Sequence, residues 1–209
     1  MNKEFLPETD AMLEKYKHLE RVMQRRMSRC TDIVVNKIYK KYGARFFRRC
    51  SAPADFADKV FPKFLKGSKS VLEIGTLNGI TAAVMAQYVD KVYTIDIIDY
   101  KEKYELWKWL GIEKKIEFFH IKNELQKFDL IESVDFDACY MDGDHAHHTW
   151  SDFFMVRKCG KVLLHEAIDE PSETYHLAQA LPPNEIIYYD FAVRGHPDKR
   201  SCLVGWSKL

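Results

Sequence analysis

The densest group of titratable side chains is the run Met141-Asp142-Gly143-Asp144-His145-Ala146-His147-His148, with three histidines and two acids in seven consecutive residues. Asp142 is equipped for three jobs: general base, oxygen ligand to a divalent metal, or acceptor for an amine. His145 changes charge near neutral pH, which suits proton transfer or metal ligation. The spacing fits no zinc signature, since H-E-x-x-H is absent. His147 and His148 fall on the first turn of a following helix and read as surface. A later stretch, Gly160-Lys161-Val162-Leu163-Leu164-His165-Glu166, ends in a second acid beside a histidine. In a parallel sheet Glu166 would stand next to Asp142. Asp142, His145 and Glu166 are the candidate catalytic residues. The plainer reading has Asp142 and His145 capping a helix, with Glu166 solvated.

A second chemical feature lies upstream, in Glu73-Ile74-Gly75-Thr76-Leu77-Asn78-Gly79-Ile80-Thr81. Gly75 and Gly79 allow backbone to pass close to a ligand with no Cβ in the way. The dinucleotide fingerprint G-x-G-x-x-G is not met, because Thr76-Leu77 occupies its middle, and no Gly-Lys-Ser/Thr closes a phosphate loop. Nucleotide-dependent redox chemistry is disfavoured on that ground. Asp96 follows Glu73 by 23 residues at the end of the next apolar run.

The elements that must position these residues are read from periodicity. Residues 9–47 carry apolar positions at three- and four-residue steps and predict helix, with a short helix over 55–65. From residue 70 the pattern changes to short apolar runs at 71–74, 92–96, 116–121, 136–141 and 160–164, predicted as strands. Helical stretches are expected at 80–88, 104–110, 146–158 and 172–180. Runs at 186–189 and 202–206 close the chain with no helical pattern between them. Alternating strands and helices imply a doubly wound, mostly parallel α/β sheet. The last connection makes an antiparallel final strand the economical expectation. In such a sheet, ligands bind beyond the C-terminal strand ends where strand order reverses. Both chemical features fall at predicted strand ends.

The pattern E-x-G-x-x-x-G, with Asp96 ending the second strand, resembles motif I of the class I S-adenosylmethionine-dependent methyltransferases. The pairing of F-D-x-x-x-x-D-G-D-H with a later G-K-V-L-L-H-E is similar to a D-G-D-H subfamily found in bacterial and phage biosynthetic clusters, which usually reads H-D where this chain has His165-Glu166. The resemblance covers residues 71–206. It implies a Rossmann-like sheet of seven strands and S-adenosylmethionine held by Glu73, Gly75, Thr76, Asn78, Gly79, Asp96, Ile97 and Asp142, with Asp96 on the ribose hydroxyls. Some relatives hold Mg²⁺ between fourth- and fifth-strand acids, here Asp142 and Glu166. Trp107 and Trp109 lie where the superfamily often packs the adenine ring, and they read equally well as core aromatics. The implied activity is methyl transfer to a small-molecule acceptor, with a hydroxyl favoured. The competing reading is a non-catalytic module that keeps the fold and binds RNA or a protein through its basic N-terminal helices.

Composition bounds the rest. The 209 residues are 46% hydrophobic and 30% charged, which excludes a disordered or low-complexity chain. No run approaches the roughly 20 apolar residues of a membrane span. Five cysteines without a C-x-x-C pair argue against a disulfide framework, so a reducing, cytoplasmic setting is expected. The net charge of +1 averages two unlike parts: residues 1–50 hold 13 basic and 6 acidic side chains, and residues 51–209 hold 19 and 25. The division expected is a basic helical extension over 1–65 and a methyltransferase-like domain over 66–209. The basic extension reads first as a solvated face packed on the domain or on a second subunit, as in a homo-oligomer. A nucleic-acid contact through Arg21, Arg25, Arg26 and Arg29 is the less favoured alternative.

Overall fold

Val71-Leu72-Glu73-Ile74 is apolar on both alternating faces except at one position, the pattern of a central strand covered on two sides. In the computed structural model, which describes residues 10–47, 57–143, 147–165, 172–188 and 202–207, this run is β1 (Ser70–Ile74), in the middle of the sheet. It pairs in parallel with β2 (Lys91–Asp96) on one side and with β4 (Ala138–Met141) on the other. β3 (Ile116–His120) extends the sheet beyond β2, and β5 (Lys161–His165) beyond β4, both parallel. β7 (Cys202–Ser207) runs antiparallel between β5 and β6 (Glu185–Tyr188). The sheet has seven strands in the order β3-β2-β1-β4-β5-β7-β6. The expected mostly parallel sheet with an antiparallel last strand is found. Strand order reverses between β1 and β4, which opens a crevice at their C-terminal ends.

Alternation along each strand separates two buried layers. On one face Val71, Tyr140, Leu163 and Leu203 pack with α4 (Ile80–Met85) and α5 (Glu102–Leu110). Met23 of α1 (Asp10–Met27), Ile38 of α2 (Ile33–Phe46) and Phe61 of α3 (Phe61–Phe64) belong to the same cluster. On the other face Leu72, Ile74, Cys139, Met141, Val162 and Leu164 meet α6 (Glu124–Ser133), α7 (Thr149–Val156) and α8 (Glu173–Ala180). Among the described residues no helix is long and apolar enough to cross a membrane.

The helical stretch expected over 9–47 forms two helices. The first ends at Met27, and Asp32 caps the second by accepting a hydrogen bond from Val35 N at 2.8 Å. Gly43, at φ +70° and ψ −177°, interrupts α2 near its end. Asp32 is buried, and its carboxylate also accepts from Gln87 Nε2 at 3.0 Å and Tyr88 OH at 3.1 Å. This ties the start of α2 to the end of α4. Burial, with the Asp32 carboxylate alongside, holds the Tyr88 phenol above its ordinary range. The short helix expected over 55–65 is confined to Phe61–Phe64, with residues up to 56 outside the described set. α6 was not anticipated from periodicity.

Candidate active site

The turn after β1 is fixed from two sides. Gly75 N donates to Ile95 O on β2 at 2.9 Å, and Asp142 N, just past β4, donates to Ile74 O at 2.9 Å. The two strand ends approach so closely that a Cβ on Gly75 would lie 2.2 Å from the Asp142 carbonyl oxygen. Gly75 also has φ +97°, a region that favours glycine. Its role is to let the β1 and β4 loops touch. Leu77 takes φ +47°, an uncommon value for a branched side chain and a sign that the turn is held from outside. Gly79 opens α4, and Trp107 Nε1 donates to its carbonyl at 2.9 Å.

Asp96 does much of that holding. Its Oδ2 accepts from Thr76 N at 3.0 Å and Leu77 N at 2.8 Å, and its Oδ1 accepts from Ile98 N at 2.9 Å. Beneath it, the Thr76 and Thr94 hydroxyls meet at 2.7 Å, and Thr94 donates to Glu73 Oε2 at 2.5 Å. Glu73 is wholly buried, and its Oε1 has no hydrogen-bond partner among the described residues. Burial raises its carboxyl well above the usual range, the Thr94 hydroxyl opposes this, and the Asp142 and Asp96 charges reinforce it.

The folded chain therefore binds the Glu73 proton more tightly than the unfolded chain does. Stability from this group is whole below the ordinary glutamate pKa of about 4.3 and declines as pH rises toward the elevated folded value. Glu73→Gln, a neutral isostere, is expected to flatten that decline. Thermal melts from pH 5 to 8 check this, and an unchanged slope would show that Glu73 is ionised in the fold.

Asp142 stands at the C-terminal end of β4, half-enclosed. Its Oδ1 is 2.7 Å from His165 Nδ1, and its Oδ2 accepts from Tyr140 OH at 3.1 Å. Register explains the meeting: Met141 pairs with Leu164, so the next residues, Asp142 and His165, lie side by side at the ends of β4 and β5. A carboxylate at Nδ1 fixes the neutral imidazole as the tautomer protonated there, leaving Nε2 with the basic lone pair. Asp142 was expected in the site; His165 was not. The signal for it lay in the sequence, as the histidine one residue before Glu166 on a strand predicted to neighbour the fourth.

The other expected residues divide. Thr76 is buried with its hydroxyl turned to Thr94, and Ile97 is exposed beside the Asp96 loop. Asn78 turns away from the crevice and donates from Nδ2 to Phe46 O at 2.6 Å, joining the turn to the end of α2. Trp107 is a buried support for Gly79, whereas Trp109 is 41% exposed with Lys41 Nζ 4.1 Å from its ring centroid. His147 is exposed and His148 half-buried just ahead of α7, and the His120 ring nitrogen lies 3.0 Å from Ile97 O. His145, Glu166 and His196 lie outside the described residues. Each Asp142 oxygen takes a protein donor, and Glu166, the other acid expected at a metal, is outside the described set. Two open grooves among the described residues lie elsewhere. One of about 750 Å³ is lined by Phe128, Glu132, Phe154, Met155, Arg157 and Lys158, and the other by Ser70, Asp137 and neighbours at the strand starts. Neither contains a site residue.

No family model matches the chain, and no curated protein matches it in sequence. Solved structures do match in three dimensions. An O-methyltransferase from Bacillus cereus in complex with SAH is 16% identical and aligns over 92% of this chain and 99% of its own, with a TM-score of 0.64. The O-methyltransferase TomG from Streptomyces achromogenes, involved in tomaymycin synthesis and bound to SAM, is 13% identical over 92% and 98%, with a TM-score of 0.62. An SAH-bound methyltransferase from Podospora anserina is 10% identical over the full length of both chains, with a TM-score of 0.59. The likeness is one of architecture: the chain has the α/β fold seen in these methyltransferases.

Proposed function

We propose that the chain is an S-adenosylmethionine-dependent methyltransferase of the D-G-D-H type acting on a small-molecule acceptor, with a hydroxyl as the methylated group. The observation that carries this reading is the Asp142–His165 pair at the crevice where the β1 and β4 turns meet. The cofactor supplies an activated sulfonium methyl; the protein must align the acceptor and take its proton. Asp142 holds His165 in the tautomer whose Nε2 accepts a proton, and its charge stabilises the imidazolium that results. His145 and Glu166, which follow Asp142 and His165 in the sequence, remain proposed contributors.

The turn is suited to the cofactor. Asp96 Oδ1 takes one backbone N–H and keeps acceptor capacity for a ribose hydroxyl. Glu73, wholly buried beneath Asp96, supports the turn through Thr94. Residues 66–209 would form the transferase domain, with 1–65 as a helical cover over the β1 turn.

Calorimetric titration with S-adenosylmethionine tests the reading. Saturable one-to-one binding is expected. Asp96→Asn removes the charge and sets an N–H₂ against one of the backbone N–H donors of the turn, so it should weaken binding by about tenfold or more. No heat at high micromolar cofactor would sink the assignment and leave the fold without the activity.

A further inference from the structure

We infer that the exposed basic face of α1 and α2 is a docking surface for single-stranded nucleic acid beside the cofactor turn. Between Arg21 and Arg49 the chain has ten Lys or Arg and one acid, Asp32. The structure removes that acid from the surface: Asp32 is 5% exposed, and its carboxylate is consumed by Val35 N, Gln87 and Tyr88. Arg21 and Arg25 on α1, Arg29 in the turn after it, and Lys37, Lys40 and Lys41 on α2 are all exposed. Within each helix they recur at three- or four-residue steps, which puts cations along one side about 6 Å apart.

Three observations select the partner. The apolar side of α2 is already spent: Val35, Ile38 and Ala44 are buried in the core shared with the sheet. A bilayer-inserting helix needs that side free, and here it is not. Among the residues of α1 and α2 whose side chains are described, Ile33 at the start of α2 is the exposed large aliphatic, so the basic side presents little apolar area of its own. What remains is a row of cations matched to a row of phosphates. At the other end of α2 the surface gains aromatic character, with Trp109 exposed against Lys41 and with Tyr42 edge-on to it at 5.8 Å. Asn78 bonds Phe46 O in the same place, so the row ends against the proposed cofactor turn. Cations leading to an exposed indole suit a strand with unstacked bases better than a rigid duplex.

This surface is independent of the methyl-transfer reading, because binding is measured on the full chain without cofactor. Fluorescence anisotropy of a labelled oligouridylate is the assay, with an oligothymidylate and phosphatidylserine vesicles as parallel arms. Binding is expected to weaken at least tenfold between about 50 and 200 mM salt, as counterion release requires. Charge reversal at Lys37, Lys40 and Lys41 together should cost about tenfold or more, and so, separately, should reversal at Arg21 and Arg25. Circular dichroism and calorimetric S-adenosylmethionine binding keep these variants honest, since both should match wild type. Trp109→Ala should weaken the oligonucleotides by several-fold while leaving binding to heparin, which has no bases, unchanged. No anisotropy change at low salt, or binding to the vesicles alone, overturns the proposal. So does oligonucleotide binding that ignores both reversals.

Discussion

Gly75→Ala is expected to lower S-adenosylmethionine affinity by at least a hundredfold and to destabilise the fold by about 3 kcal/mol, the combined scale of overpacking and a forced left-handed residue. The new methyl would meet the Asp142 carbonyl oxygen at 2.2 Å, its carbon at 2.7 Å and Gly143 Cα at 3.0 Å. All three are backbone, so no side chain can swing aside. Relief requires the ends of β1 and β4 to part, which breaks the Asp142 N–Ile74 O bond and displaces Asp142 from His165. Gly111→Ala is the matched control. Gly111 also has a positive φ, +70°, but a Cβ there meets nothing within 4 Å. Its cost should stop at about 1–2 kcal/mol of backbone strain, with cofactor affinity intact. Urea denaturation and calorimetry on the two variants separate the effects. Equal behaviour at both positions would mean that contact between the two turns does not shape the site.

The same contact shows what was legible beforehand. Gly75 and Gly79 stood out in the sequence as a turn that a ligand could approach. The structure gives both a nearer partner: Gly75 makes room for the β4 loop, and Gly79 for Trp107 and Lys103. A turn motif marks where backbone must come close without saying what comes close to it. The sheet was readable because its strands are continuous apolar runs, and the antiparallel end followed from a connection whose sequence carries no helical pattern. α6 escaped because Leu125 and Phe128 lie on its outer side, 68% and 46% exposed, which blurs the helical stripe. Its signal was local instead, in Asn123, which caps the helix by accepting from Gln126 N. Asp96 was recognised as a strand-end acid, but its three bonds to backbone N–H groups depend on a turn geometry that no spacing encodes. His165 was passed over in favour of Glu166 because a pairwise meeting of side chains needs strand register, and register is set by packing across the whole sheet.

His165→Ala is expected to reduce kcat for methyl transfer to a hydroxyl acceptor by about 10²–10³-fold, the usual contribution of a positioned general base. Cofactor affinity should change little, because the imidazole is assigned to the acceptor's proton and not to the sulfonium. The pH profile is the sharper readout. Wild-type kcat should show a limb that rises with pH as loss of a proton frees Nε2 to act as base. In His165→Ala that limb should vanish, leaving activity that climbs only at alkaline pH as the acceptor hydroxyl ionises by itself. Asp142→Asn tests the other half of the pair. Losing the charge at 2.7 Å from Nδ1 withdraws the stabilisation of the imidazolium, and the amide can also turn its N–H₂ toward the ring and favour the wrong tautomer. A fall comparable to that of His165→Ala, with no further loss in the double variant, is the mark of two residues acting as one unit. Tyr140→Phe removes only the donor to the other Asp142 oxygen and should cost less than tenfold. Tritium transfer from the cofactor to a panel of phenols and sugars supplies the rates. If Asp142→Asn and His165→Ala weakened cofactor binding but left the single-turnover rate at saturating cofactor intact, the pair would belong to the cofactor and the proton would leave by another route.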